Sequence, residues 1–301
     1  MKYGIIDLGS NTIRLAVYHA QSGSPLCLFT KKVFARAVSY KRHGIMSPEG
    51  ISVITRALRE LDLHASHHGL ESLWCFATAC LRGLKNQSEV LTAAKAATGL
   101  DIEVLTGQQE AAYGVAGLTA SSNIRDAVSI DLGGGSCEIS LIKNRKSVHS
   151  VSVDIGSVSA ARDHVKGIFP DQSEISEISQ SFEQNLRSLL WLKDCGVQVA
   201  YAMGGSARAM CRIHRALYLP DASLDAYSLA FSDIKPLYQK LCDMQLNGIR
   251  LADQHCPGRI FTLIPGIVIL REVMAFAGAS RLHLASSGVR EGYLMHKLGL
   301  V

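Results

Sequence analysis

An internal repeat constrains the fold of this chain more than any other feature of its sequence. The first copy, from Tyr3 to Tyr18, reads YGIIDLGSNTIRLAVY, and the second, from Ala127 to Ile142, reads AVSIDLGGGSCEISLI. Each copy contains I-D-L-G, then small residues, then a second run of alternating apolar residues. This pattern predicts a strand, a tight turn and a second strand. Two copies therefore predict two similarly built domains, each opening with the same hairpin.

Strand and helix signals alternate along the rest of the chain, which is typical of an α/β fold with mixed sheets flanked by helices. The predicted strands outside the repeats are Leu73–Ala77, Ile102–Leu105, Val197–Met203 and Arg281–Ala285. The predicted helices run from Pro48 to about Gly69, through the helical sequence that follows Ala77 as far as Gly99, from the Thr106 cap to about Thr119, over Ile155–Lys166 and Ser173–Lys193, from Gly204 to about Ala216, over Pro265–Ala277, and onward from Val289.

A polar stretch from Ala120 to Arg125 is the natural place for the domain boundary. We therefore place the first domain at residues 1–122 and the second at residues 123–301, with the closing helix able to pack back on the first domain. The 301 residues are enough for two domains that each have their own core.

The composition is that of a globular protein, with 48% apolar and 19% charged residues. The eight cysteines show no CxxC pair and no metal-ligand spacing, so we expect reduced thiols and a cytoplasmic location. The N-terminus lacks the layout of a signal peptide, and the longest apolar run, Ile260–Leu270, is interrupted by polar or helix-breaking residues, so no membrane association is expected. The net charge of +5 suits an anionic substrate and does not indicate a nucleic-acid partner.

The two repeated turns are candidate anion sites. The first has the sequence Gly9-Ser10-Asn11-Thr12 and the second Gly133-Gly134-Gly135-Ser136. Successive N–H groups in such turns form a concave site, and glycine lets the backbone approach a phosphate closely. The alternative is a pair of tight hairpins that serve only the chain path. Two related turns, each directly after a strand ending in aspartate, favour phosphate binding over that alternative.

The two copies differ at one informative position. Seven residues after Asp7 comes Arg14, whereas seven residues after Asp131 comes Glu138. The second hairpin therefore carries two carboxylates that flank its glycine turn. Paired carboxylates beside a phosphate site are suited to Mg²⁺ or another divalent cation. The alternative is a solvated Glu138 on the face of a sheet.

Glu110 and several arginines are further candidates. Thr106 and Gln109 have the spacing of a capping box, which places Glu110 at the fourth residue of a helix, where the helix N-terminus favours the carboxylate form. A glutamate at such a position is usually only a partner of the helix dipole, so the local sequence alone does not indicate a catalytic role. Arginines that can bind phosphate oxygens are Arg82, the trio Arg208, Arg212 and Arg215, and, with a weaker signal, Arg290. A solvated helix face is the alternative for the trio.

Taken together, six ordered segments resemble the exopolyphosphatase and guanosine pentaphosphatase (Ppx/GppA) family of the actin, sugar kinase and chaperone ATPase superfamily. The segments are IIDLGSNTIRLAVY, CFATACLRGLKN, LTGQQEAAYGV, SIDLGGGSCEIS, MGGSARAM and ASSGVREGYL. The resemblance implies two actin-like (ribonuclease H-like) domains with the active site in the cleft between them. It also implies hydrolysis of a phosphoanhydride by metal-assisted attack of water.

Carried over residue by residue, the resemblance implies that Glu110 activates the water. It implies a metal held by Asp131 and Glu138. The implied phosphate-binding residues are Asp7, Gly9, Ser10, Asn11, Arg82, Gly133, Gly134, Gly135, Ser136 and, in the glycine motif of the second domain, Gly205.

This sequence departs from the family pattern in three places. Gln109-Glu110 stands where the family usually has two glutamates, and residues 35–44 (ARAVSYKRHG) replace a segment rich in Leu-Gly-Gly-Leu. The sequence also contains no His-Asp dipeptide of the kind found in the C-terminal region of longer members, so it resembles a short, two-domain member.

The favoured function is a cytoplasmic hydrolase that releases terminal phosphate from inorganic polyphosphate or guanosine pentaphosphate, with a homodimer as the assembly to test. One alternative is a non-catalytic sensor that binds polyphosphate or guanosine tetraphosphate, suggested by Gln109 and by residues 35–44. A second alternative is a kinase on the same scaffold. The glutamate before the second phosphate motif argues against the kinase.

Overall fold

A computed structural model describes residues 1–20, 25–193 and 195–301. The chain divides into two compact units. Unit 1 comprises Met1–Ala120 together with Val289–Val301, and unit 2 comprises Ser121–Gly288. The final segment of the chain therefore belongs to the same unit as the first repeat.

Unit 1 is built on a five-stranded sheet with helices on its faces. Its strands are β1 (Lys2–Leu8), β2 (Ile13–His19), β3 (Leu26–Val33), the short pair β4 (Lys41–Arg42) and β5 (Ile45–Met46), β6 (Ser72–Ala77) and β7 (Ile102–Val104); its helices are α1 (Pro48–Ser66), α2 (Gln87–Thr98), α3 (Gly107–Ser121, whose last residue lies past the boundary) and α10 (Val289–Lys297). The main sheet has the order β3-β2-β1-β6-β7, in which β6 is parallel to both neighbours and the other pairs are antiparallel.

Unit 2 repeats this arrangement and extends it. Its strands are β8 (Ala127–Leu132), β9 (Cys137–Lys143), β10 (Lys146–Val153), β11 (Val199–Met203), β12 (Ser228–Ala230) and β13 (Arg281–Leu284); its helices are α4 (Ser157–His164), α5 (Gln172–Leu186), α6 (Gly204–Tyr218), α7 (Phe231–Asp243), α8 (Leu246–His255) and α9 (Ile260–Ala277). The sheet order is β10-β9-β8-β11-β13-β12. Its first five strands match the order and directions of the unit 1 sheet, which confirms two similarly built domains.

Two of the predicted helix ends are confirmed by their capping geometry. The hydroxyl of Ser47 accepts from the Gly50 N–H at 3.2 Å, with Pro48 at the first helical position. Gly99 ends α2 in the left-handed conformation, with φ of +73°. All eight cysteines lie among the described residues as free thiols, as the sequence predicts.

Two predicted helices have different bounds. The helix predicted over Ser173–Lys193 ends at Leu186, after which residues 187–193 form turns. The helix predicted to begin at Pro265 begins at Ile260 instead, and Pro265 lies inside it. With the preceding turn this apolar stretch, Pro257–Ala277, is long enough to cross a membrane by length and composition, contrary to the sequence-based expectation, but most of it is buried in unit 2. Helices α7 and α8 were not predicted.

The last helix, α10, packs on the face of the unit 1 sheet that carries alternate residues of β1 and β2. Tyr293 and Leu294 join Tyr3, Ile5 and Tyr18 in one buried cluster. The hydroxyl of Tyr18 donates to Oε1 of Glu291 at 2.6 Å. Two further bonds join α10 to Glu103 in the middle of β7, where Tyr293 and Lys297 donate to Oε2 at 2.9 and 2.7 Å. Unit 1 is therefore completed by residues from both ends of the chain.

Gly292 allows this close packing, because a Cβ at this position would overlap the backbone carbonyl of Tyr113 in α3. Gly292→Ala is expected to lower the free energy of unfolding by about 1–3 kcal/mol, as in other overpacked sites, despite alanine's higher helix propensity. Urea denaturation measures this. The comparison variant is Gly99→Ala, where a Cβ meets nothing within 4 Å and only the left-handed backbone opposes the change. An unchanged stability of Gly292→Ala would contradict the tight docking of α10.

Candidate active site

The turn of unit 1 lies between β1 and β2. The Gly9 N–H donates to the carbonyl of Thr12 at 3.1 Å and closes the turn. Ser10 and Asn11 are buried. Nδ2 of Asn11 is buried without a hydrogen-bond partner among the described residues. A buried donor without an acceptor costs free energy, so a phosphate oxygen at this turn would supply an acceptor that the protein does not.

Asp7, the next-to-last residue of β1, lies directly opposite Arg14 of β2. The alternation of side chains places both residues on the sheet face that carries Tyr3, Ile5, Ala16 and Tyr18, which is the face covered by α10. Burial raises the pKa of Asp7, while the charges of Arg290 and Arg14 lower it and Glu291 raises it. The carboxylate of Asp7 is thus partly desolvated and kept near two guanidinium groups.

Glu110 lies in the first turn of α3, as predicted, and is buried. Nη1 of Arg82 donates to Oε2 of Glu110 at 3.0 Å and to the carbonyl of Leu105 at 3.2 Å. The side chain of Glu110 is only 9% exposed, so this ion pair is screened less than a surface pair. The sequence did not predict the contact between Arg82 and Glu110, because the two residues come from different predicted motifs.

The capping box at the start of α3 is confirmed. Oε1 of Gln109 accepts from the Thr106 N–H at 2.9 Å, and the Thr106 hydroxyl accepts from the Gln109 N–H at 3.1 Å. Gln109 therefore serves the helix end. Its amide performs the capping role that a glutamate would perform at this position.

A series of hydrogen bonds connects the turn to Glu110. The carbonyl of Leu8, directly before Gly9, accepts from the Thr78 N–H at 3.3 Å, and the carbonyl of Thr78 accepts from the Arg82 N–H at 3.1 Å. Arg82 then pairs with Glu110. Unit 1 therefore brings together its predicted phosphate-binding residues and its predicted catalytic residue.

The turn of unit 2 has the same closing bond as that of unit 1. The Gly133 N–H donates to the carbonyl of Ser136 at 3.0 Å. The first N–H groups of α4 donate to the turn, from Ser157 to the Gly133 carbonyl at 3.0 Å and from Val158 to the Gly134 carbonyl at 2.8 Å. These bonds occupy carbonyl oxygens on one side of the turn and hold its backbone in place.

Asp131 and Glu138 lie directly opposite each other on β8 and β9. Glu138 is buried, and its Oε1 accepts from the Ser152 hydroxyl at 2.6 Å. A solvated Glu138, the alternative left open by the sequence, is therefore wrong. No group of three or more metal-ligating side chains occurs within the described ranges. Two opposed carboxylates still fit Mg²⁺, which is usually bound by one or two carboxylates plus water and phosphate oxygens.

The N-terminus of α6 lies beside Asp131 within unit 2. Gly204, with φ of +85°, lies so close to Asp131 that a Cβ would stand 3.0 Å from its Oδ1. A Cβ on the next residue, Gly205, would overlap the guanidinium of Arg259. Nη1 of Arg259 also donates to the Ser206 hydroxyl at 3.3 Å. The positive φ and the nearby Leu132 carbonyl favour glycine at position 204, whereas a side chain at position 205 would have to displace the guanidinium of Arg259.

Arg259 is a site residue that the sequence analysis missed. Burial lowers its pKa, and Cys256 opposes that effect. It lies in a short turn, Pro257–Arg259, that no local motif marks. Of the predicted arginine trio, Arg215 lies in the last turn of α6 and donates to the Ala222 carbonyl at 3.4 Å, far from the N-terminus of that helix. The trio therefore does not act as one phosphate-binding set.

Arg290 is expected to keep the carboxyl group of Asp7 ionised. Its Nη1 is buried without a hydrogen-bond partner among the described residues, and its charge lowers the pKa of Asp7. Arg290→Gln is expected to raise the pKa of Asp7, because burial then acts with less opposition. In Arg290→Lys, which keeps the positive charge, the pKa of Asp7 is expected to return most of the way to its wild-type value. Carboxyl ¹³C NMR titration measures both, and an Asp7 pKa equal in all three proteins would contradict this role.

Comparison with known proteins gives one consistent result. The Ppx/GppA phosphatase family model matches residues 16–300. Exopolyphosphatase 1 of Mycobacterium tuberculosis is 21% identical over 304 residues, covering 99% of this chain and 88% of that protein. An uncharacterized protein of Streptomyces coelicolor is 29% identical over 170 residues, which cover 56% of this chain and about half, 51%, of that protein.

Solved structures show the same fold. The Ppx/GppA family member of Aquifex aeolicus superposes with a TM-score of 0.79 at 21% identity, covering 99% of this chain and 97% of that chain. An exopolyphosphatase of Cytophaga hutchinsonii gives a TM-score of 0.85 at 17% identity, covering 100% and 99%. With its two mixed sheets and repeated hairpins, the fold is the actin-like one. The chain belongs to the Ppx/GppA phosphatase family.

Proposed function

We propose that this protein hydrolyses the terminal phosphoanhydride bond of inorganic polyphosphate, with guanosine pentaphosphate as a second substrate of the same chemistry. The observation that carries the proposal is the buried Glu110 at the start of α3, paired with Arg82 and connected by backbone bonds to the turn at Gly9. A carboxylate held beside a phosphate-binding turn is what activation of an attacking water needs.

In the proposed reaction, the oxygen of a water molecule attacks the terminal phosphorus. A new P–O bond forms, the bridging P–O bond breaks, and its electron pair remains on the shortened chain. Glu110 accepts the proton from the water. The turns, Asn11 and Arg82 hold the phosphate oxygens, so most of the rate acceleration comes from positioning and charge neutralisation.

Asp131 and Glu138 would hold a divalent cation, which would neutralise negative charge on the phosphates. Their opposed positions and the burial of Glu138 support this part of the proposal. The proposed reaction needs groups from both units. That they act on one substrate stays a prediction.

Family membership and the similarity to exopolyphosphatase 1 over 99% of the chain support polyphosphate as the substrate. Gln109 was one reason to consider a non-catalytic sensor, but its side chain caps α3 and leaves Glu110 in place. Phosphate release from polyphosphate with Mg²⁺ present, measured beside release from guanosine pentaphosphate, tests both substrates. Binding of either one without any release would favour the sensor.

Glu110→Gln separates catalysis from a helix-dipole role. If Glu110 activates the water, turnover should fall by about two to four orders of magnitude while substrate binding survives. If it only complements the dipole, stability should fall by about 0.3–1 kcal/mol and turnover should remain. Steady-state phosphate release and thermal unfolding distinguish the two. Gln109→Ala is the control, since it weakens the cap and leaves the carboxylate; a near-wild-type rate for Glu110→Gln would refute the assignment.

Glu138→Gln tests the metal site. The substitution keeps the shape of the side chain and removes its charge, so a higher Mg²⁺ concentration should be needed for half-maximal rate and for the Mg²⁺-dependent rise in melting temperature. Asp221→Asn serves as the matched control, because Asp221 is exposed beyond the far end of α6. An unchanged Mg²⁺ requirement in Glu138→Gln would remove Glu138 from the metal site.

A further inference from the structure

Residues 36–42, here called the basic segment, depart from the family pattern and lie directly on the unit 1 turn. The Arg36 N–H donates to the carbonyl of Asn11 at 2.9 Å, and the Val38 N–H donates to the carbonyl of Ser10 at 3.2 Å. Just past the other end of the segment, the Lys85 N–H donates to the carbonyl of Gly44 at 2.8 Å. The basic segment is therefore held against the turn at one end and against the chain following Arg82 at the other.

The backbone of Arg36 is strained. Its φ of +47° and ψ of +41° lie in the left-handed region, which is unfavourable for a non-glycine residue. The strained residue begins the 3₁₀ turn Ala37–Tyr40, which leads into the β4–β5 hairpin. The bond from the Arg36 N–H to the Asn11 carbonyl fixes this backbone beside the turn, and strained backbone of this kind is frequent at functional sites.

Lys41 extends the basic segment toward the catalytic residues. Its Nζ donates to the backbone carbonyl of Arg82 at 3.3 Å, and the guanidinium of Arg82 pairs with Glu110. Lys41 is partly buried, whereas Arg36 and Arg42 are exposed. Throughout the described ranges, none of these three cations forms an ion pair with a carboxylate. Three uncompensated positive charges thus lie on one short segment beside the turn.

This charge pattern fits a linear polyanion. In the proposed function, the turn and Glu110 take the terminal phosphate, and the basic segment beside them carries three cations and no acidic side chain. We propose that Arg36, Lys41 and Arg42 form a subsite for the internal phosphates of polyphosphate and make the enzyme favour long chains over substrates with few phosphates. The proposal rests on the proposed function, because it assumes that the terminal phosphate occupies the turn.

The test compares polyphosphate of about one hundred phosphates with tripolyphosphate as substrates of the variant Arg36→Asn/Lys41→Gln/Arg42→Gln. Asparagine is chosen at position 36 because it tolerates the left-handed conformation. KM for the long chain should rise about ten- to a hundredfold, the combined effect expected of losing two exposed charge contacts and one partly buried charge contact. The kcat for both substrates and KM for tripolyphosphate should stay within about twofold. The dependence of KM on salt for the long chain should also weaken.

Lys2→Gln is the matched control, since Lys2 is an exposed cation at the opposite end of β1 from the turn. A direct binding measurement keeps this proposal separable from the proposed function. Anisotropy of labelled long polyphosphate is recorded with the wild-type and triple-variant proteins in the absence of turnover. Loss of binding only in the triple variant supports the subsite even when no hydrolysis is found. Equal losses on long and short substrates, or no change on either, would overturn it.

Discussion

The register of the two opening hairpins is the constraint on which the candidate site residues of each unit depend. In each hairpin, the residue seven positions after the aspartate lies directly across from it, so Asp7 faces Arg14 and Asp131 faces Glu138. A slip by one residue would move every side chain of a strand to the other face of the sheet. One scaffold therefore yields two local chemistries. A carboxylate beside a guanidinium suits phosphate, and two opposed carboxylates suit a cation.

Burial of a carboxylate next to the unit 1 turn disfavours its ionised form. In unit 1, the positive charge of Arg290, near the end of the chain, opposes this effect. Burial raises the pKa of Asp7, and Arg290 in the first turn of α10 is the largest influence that lowers it. The same helix brings Glu291 to the hydroxyl of Tyr18 and buries Tyr293 in the sheet face. Burying side chains of this size contributes about 1.5–3 kcal/mol each. Helix α10 therefore contributes both to the core packing of unit 1 and to the electrostatic environment of Asp7.

Features set by neighbouring residues could be predicted from the sequence. The repeats predict both hairpins, and Ser47, Thr106 and Gln109 form the caps that their spacing indicates. The predicted start of α9 at Pro265 was wrong. Proline is typical of the first turn of a helix, whereas Pro265 is a buried residue inside α9, which begins at Ile260. Helices α7 and α8 both begin after a residue whose side chain forms no cap bond, Ala230 and Gln245, although the Ala230 N–H donates to Asp233 in α7.

The remaining contacts of the site depend on residues far apart in sequence. Arg259 reaches Ser206, and Lys41 reaches Arg82, across separations of 53 and 41 residues. No local spacing rule encodes such pairs. The pairing of Arg82 with Glu110 spans 28 residues and joins two motifs that were each recognised alone. The sequence therefore predicted most of the individual site residues, while the partners of those residues required the folded chain.

The charge balance around Glu110 explains how one glutamate can suffice where the family usually has two. The capping position needs an acceptor for the Thr106 N–H, and the amide oxygen of Gln109 provides one without a charge. A glutamate at position 109 would add a second carboxylate one residue from Glu110, and like charges at such distances disfavour the ionised form. With Gln109, one buried carboxylate is matched by one guanidinium, that of Arg82. The substitution therefore preserves the cap and removes a repulsion from the group that the proposed reaction uses as its base.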